Sequence, residues 1–166
     1  MNYSVPMNER PSRTVAVILE TAPANNRWED FQWRLVAAVP DMGGEPRDGL
    51  RNASGHQRIF PGLELTLFQD EAEGYYLNAS SGEPSVFVTV RFDEATGQPY
   101  AFMATLSYNE AARRMDGGER VERVPAWPEL AEWLSAWVDV HYKPEPKQRR
   151  KPGSFKGKEG RLRERN

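Results

Sequence analysis

Residues 85–92 read SVFVTVRF, and their alternation decides the fold class. Val86, Val88, Val90 and Phe92 fall on one side of an extended chain, with Ser85, Thr89 and Arg91 on the other. That two-residue period, carried by β-branched and aromatic side chains, predicts a strand with one buried face. Downstream, Asp93–Gln98 contains Thr96-Gly97 and reads as the loop of an antiparallel hairpin. Its second strand is Pro99–Leu106, where Tyr100, Phe102, Ala104 and Leu106 alternate with smaller neighbours. Upstream, Thr14–Glu20, Gln32–Val39 and Leu63–Leu67 alternate in the same way, and Glu73–Ala79, with Tyr75, Tyr76 and Leu77, reads as a further strand. Asp41–Gln57 is polar, Gly-rich and aperiodic, which predicts a long mobile loop.

The period changes late in the chain. Trp127, Leu130, Ala131, Leu134, Trp137, Val138 and His141 recur at three- and four-residue steps, which predicts a helix with one apolar stripe. Pro128 suits a first helical position, and Glu129 and Glu132 suit the positive end of the helix dipole. Trp133 and Val140 lie beside the stripe and either widen the buried face or form an exposed patch. A shorter helix over Asn109–Met115 ends at Gly117-Gly118, and Glu119–Val124 reads as a last strand. The expected architecture is α+β: a bent antiparallel sheet or small open β-barrel of about six to seven strands, closed by a C-terminal helix.

The chain has 166 residues and a net charge of −2, which hides two opposed halves. Residues 1–142 carry 12 Lys and Arg against 21 Asp and Glu, a net of −9; residues 143–166 carry 10 against 3, a net of +7. Only Phe155 and Leu162 in that basic segment have side chains suited to a core, so burial there does not offset the entropy of ordering it. The expected organisation is a flexible N-terminus over 1–12, a single α+β domain over 13–142 and a disordered basic tail over 143–166. The chain has no cysteine, which excludes disulfides, thiolate metal sites and cysteine nucleophiles. No apolar run is long enough to span a bilayer, and the N-terminus has no secretory pattern, so the expected location is the cytoplasm.

A search for chemistry returns little. The two histidines, His56 and His141, have no companion ligands, so no metal site is expected. Asp70, Glu71 and Glu73 supply carboxylates of the kind acid–base catalysis uses, but they read as a solvated hairpin turn. The run Gly153–Lys158 has the wrong spacing for a phosphate loop, and no cofactor is expected. What remains are binding candidates. Trp28 and Trp33 lie within RWEDFQW, flanking its acidic and apolar middle, and serve as core anchors or as partner contacts. In the tail, Arg149, Arg150 and Lys151 offer electrostatic anchors and Phe155 a stacking group, for an acidic protein surface or for nucleic acid.

Several blocks, in order, carry a resemblance. Asn26, Arg27, Trp28 and Trp33 lie within Val15–Pro40. A second block has Gly74, Tyr75, Leu77, Asn78, Gly82, Glu83, Pro84, Ser85, Val86 and Phe87. Then come Ser107-Tyr108-Asn109-Glu110-Ala111, followed by Val121, Val124, Pro125, a Trp-bearing helix and the basic run Lys147–Lys151. Over about residues 13–152 the chain resembles a bacterial family of unknown function encoded beside the genes of molybdenum-dependent formate dehydrogenases. The resemblance implies a role in assembly, maturation or stability of that enzyme, and it transfers no catalytic residue. Some members carry a label for molybdopterin-guanine dinucleotide biosynthesis, yet this chain has no nucleotide-binding loop of the kind a guanylyltransferase uses. The expected function is a non-enzymatic accessory factor binding a formate dehydrogenase subunit or its assembly intermediate. The alternatives are a nucleic-acid-binding module acting through the tail, disfavoured by the −9 of residues 1–142, and a protein handling a molybdenum cofactor precursor.

Overall fold

A computed structural model of the chain describes residues 10–23, 31–53 and 55–144. Seven strands and three helices follow in the order β1 (Ser12–Pro23), β2 (Phe31–Pro40), β3 (Arg47–Asn52), β4 (Gly55–Thr66), α1 (Ala72–Ala79), β5 (Ser85–Phe92), β6 (Pro99–Thr105), α2 (Tyr108–Asp116), β7 (Arg120–Pro125) and α3 (Pro128–His141). All strand pairs are antiparallel, and the α+β class follows the sequence pattern. The strands do not run in one continuous sheet. They divide into a four-stranded sheet, ordered β2-β1-β4-β3, and a three-stranded sheet, ordered β6-β5-β7.

The core lies between the two sheets. Val15, Val17, Leu19 and Leu35 face it from the first sheet and Val86, Val88 and Val90 from the second. Leu130, Leu134 and Val138 of α3, together with Tyr75 of α1, complete the same cluster, each aliphatic side chain contributing about 1.5–3 kcal/mol. Trp133 packs half-buried against this core under the Arg13 guanidinium, whose carbon is 4.4 Å from the ring centroid. Val140 is 71% exposed, so the two residues beside the helical stripe part company.

Two segments depart from the sequence reading. Glu73–Ala79, read as a strand, belongs to helix α1. Tertiary packing overrides the β preference of its aromatic pair: Ala72, Tyr75 and Asn78 are buried at three-residue steps, and Tyr75 meets Trp137 of α3 edge to face at 5.4 Å. Asp41–Gln57, read as a loop, contains β3 and the start of β4. Strand β3 is an edge strand, mostly exposed, with one extra residue between Asp48 and Arg51. A bulged polar edge strand has no alternation to read. Strand β4 also breaks its own period, because a register shift against Val15–Val17 falls where Gly62 takes φ +81°.

Strands β2 and β7 lie side by side without a backbone ladder. Side chains bridge them instead. Glu122 Oε1 accepts the N–H of Leu35 at 2.9 Å, and Arg120 Nη2 donates to the carbonyl of Trp33 at 2.7 Å. With this seam unpaired, and with no ladder among the described residues joining β6 to β3 or β4, the seven strands form two sheets rather than a closed barrel.

Candidate functional site

Of the binding residues expected from the sequence, Trp28, Arg149, Arg150, Lys151 and Phe155 lie outside the described residues, as does most of the basic segment. Trp33 is described. It sits half-buried against the core, edge to face with His56 at 5.5 Å. His141 stacks on Trp137 at 4.4 Å, and its carbonyl accepts from Gln69 Nε2 at 3.1 Å. No group of three or more metal-ligating side chains occurs among the described residues. No helix among them is long and apolar enough to cross a membrane.

The acidic group is not a hairpin turn. Asp70 and Glu71 occupy a short 3-10 turn and Glu73 the first turn of α1. Glu71 accepts the hydroxyl of Ser107 at 2.6 Å and pairs with Arg113. A serine hydroxyl on a carboxylate resembles an activated nucleophile, but Ser107 is fully buried and already caps α2, accepting the N–H of Glu110 at 3.0 Å. Thr105 completes the cap: it takes the Ser107 N–H at 3.0 Å and donates to Glu110 Oε1 at 2.7 Å. Gly74 makes this meeting of α1 and α2 possible, since a Cβ there would lie 2.1 Å from Ser107 Oγ.

Asn78 works in the same way. Its amide donates to the carbonyls of Ser85 and Leu106 at 2.8 and 3.0 Å and accepts the Ser85 N–H at 2.9 Å. One buried side chain thereby joins α1, the start of β5 and the end of β6. The most distinctive polar residues of the GYYLN and SYNEA blocks are thus committed to joining elements.

Uncommitted chemistry lies on the outer side of the three-stranded sheet. Val86, Val88 and Val90 face the core, so Phe87 and Arg91 face outward. Helix α2 packs across Phe87, with Tyr108 edge to face on it at 6.1 Å. Between them a groove of about 150 Å³ opens, with Phe87 and Val121 along the sheet and Tyr108, Ala111, Ala112 and Met115 along the helix. Arg123 adds a charged margin, while the neighbouring Glu122 sends its carboxylate away to Leu35 of β2. Tyr108 and Met115 are 48% and 52% exposed. The helical spacing of residues 108, 111, 112 and 115 was the available signal in the sequence; the groove itself needs the strand pairing that puts Arg123 opposite Phe87.

Further along the same face, a register shift in β6 turns Phe102 outward under Arg91, whose guanidinium carbon is 3.6 Å from the ring centroid. Arg91 also pairs with Glu119, and the contact holds that carboxyl below its usual range while raising the guanidinium. On the opposite side of the sheet, where Arg120 pairs with Val90, its guanidinium carbon stands 5.6 Å from the exposed ring of Phe92. Arginines over aromatic rings, Arg91 on Phe102 and Arg123 on Phe87, therefore line the outer side of the sheet.

Fold and site together define a two-sheet α+β protein with a heavily cross-linked interior and an arginine–aromatic outer face. The chain belongs to the family described as Protein of unknown function (DUF3305), whose model matches residues 14–151. No curated protein and no solved structure matches it.

Proposed function

We propose that this protein is a non-enzymatic accessory factor that binds a subunit of a molybdenum-dependent formate dehydrogenase or an intermediate in its assembly. The observation that carries the binding role is the outer face of the three-stranded sheet. Phe102, Tyr108 and Met115 stand open there beside Arg91 and Arg123, the composition that marks protein interfaces. Asn78, Ser107 and Glu122, by contrast, are taken up in holding α1, α2 and the sheets together. The partner class comes from the resemblance to the family encoded beside those enzymes. Arg149, Arg150 and Lys151 add a basic anchor that steers an acidic partner surface onto the protein.

Co-expression of the full chain with each formate dehydrogenase subunit, followed by size exclusion, tests this reading. Co-elution with one subunit is expected. Separate elution with every subunit overturns it, and a pterin or guanine nucleotide released from the purified chain would favour the handling of a cofactor precursor instead.

A further inference from the structure

Of the two charged residues along the α2–β7 groove, Glu122 and Arg123, only the second turns its side chain to it. Glu122 gives one oxygen to the Leu35 N–H and the other to Arg120. Arg123 has no carboxylate partner among the described residues; its guanidinium carbon stands 5.7 Å from the Phe87 ring centroid, at the edge of the groove. The other arginines of β5, α2 and β7 are each paired: Arg91 with Glu119, Arg113 with Glu71, Arg114 with Glu110 and Arg120 with Glu122. An apolar slot thus adjoins a single uncommitted cation. The slot is about 150 Å³, the size of a cavity that accepts a benzene-sized group, so it suits one side chain rather than a helix face. Ala111 and Ala112 keep it open, and any larger side chain there would fill it.

We propose that this groove is the docking site for a peptide segment of a partner protein. One Phe or Leu side chain of that segment enters between Phe87, Ala111, Ala112 and Met115, and a neighbouring Asp or Glu carboxylate pairs with Arg123. The proposal rests on the accessory reading only for the identity of the partner. The recognition chemistry stands on the groove alone.

The probe is the acetylated, amidated hexapeptide Gly-Asp-Phe-Glu-Gly-Ser, titrated into the isotopically labelled full chain and followed by NMR. Saturable shifts are expected at the methyls of Ala111, Ala112 and Met115 and at the Arg123 side chain. They vanish when the peptide's Phe becomes Ala. Arg123→Glu weakens binding by about tenfold, as loss of a rim ion pair plus new repulsion requires. Ala112→Phe abolishes the shifts by filling the slot, and Met115→Glu, at an exposed position, does so without touching the core. Shifts confined to residues 147–151, no saturation at the groove, or equal binding by Arg123→Glu each overturn the proposal. If the peptide fails while a formate dehydrogenase subunit still co-elutes, the groove assignment falls and the accessory role stands.

Discussion

The carboxylate of Glu122 accepts the backbone N–H of Leu35 at 2.9 Å, and through that bond β7 caps the edge of β2. Two edges that do not pair are bridged by two side chains, Glu122 to the Leu35 N–H and Arg120, which also binds Glu122, to the Trp33 carbonyl. Glu122→Ala leaves the Leu35 amide without its acceptor and is expected to cost about 1–3 kcal/mol. A urea midpoint shift with unchanged slope measures the cost. Faster hydrogen exchange at Leu35 should accompany it; unchanged exchange there would mean that the seam is not held by this bond.

Asn78→Ala removes a side chain that satisfies three buried backbone groups at once. The expected loss is about 2–4 kcal/mol, because orphaned buried groups cost more than the bonds themselves contribute. Leu77→Ala on the same helix, at a residue 40% exposed, is the control and should cost well under half as much. Equal losses would show that helix propensity, not the amide, is what the first variant disturbs.

At Gly74 the expected effect is steric. A methyl group 2.1 Å from Ser107 Oγ forces α1 and α2 apart, so Gly74→Ala destabilises despite its better helix propensity. Adding Ser107→Gly removes the clashing hydroxyl along with the cap, so the double variant should be less destabilised than the sum of the two singles. Strict additivity would contradict the contact.

Tyr75 ties stability to alkaline pH. Its hydroxyl accepts the Phe68 N–H at 3.0 Å and donates to the Thr66 carbonyl at 3.2 Å, and burial pushes its pKa up to about 12. A pKa raised by folding means that the native state prefers the neutral phenol. The contribution is therefore full below pH 10 and lost as pH rises from 10 to 12. Tyr75→Phe should be less stable by about 0.5–1.5 kcal/mol at pH 8, and its deficit relative to the wild type should shrink across that window. A deficit that stays constant to pH 12 would rule the coupling out.

Much of the fold was readable because its core strands alternate cleanly, as in Val86, Val88 and Val90, and because α3 carries a regular stripe. Misreadings came where tertiary contacts outweigh local pattern. Tyr75 and Tyr76 favour a strand until Trp137 and Tyr142 of the C-terminal segment pack on them. The bulged edge strand β3 gave no periodicity to see. The groove was invisible for a related reason: Phe87, Ala112 and Arg123 are distant in sequence and meet only when β5 pairs with β7 and α2 crosses the sheet. Trp33, which the sequence offers as a core anchor or a partner contact, lies half-buried at the seam.

Affinity purification of the tagged full chain from formate-grown cells, read by mass spectrometry, tests the accessory role most directly. Formate dehydrogenase subunits should be recovered with the wild-type chain, and recovery should fall by about tenfold or more when Arg149, Arg150 and Lys151 are all replaced by Glu. Recovery of nucleic acid and its binding proteins, removed by nuclease and without any formate dehydrogenase subunit, would contradict the account.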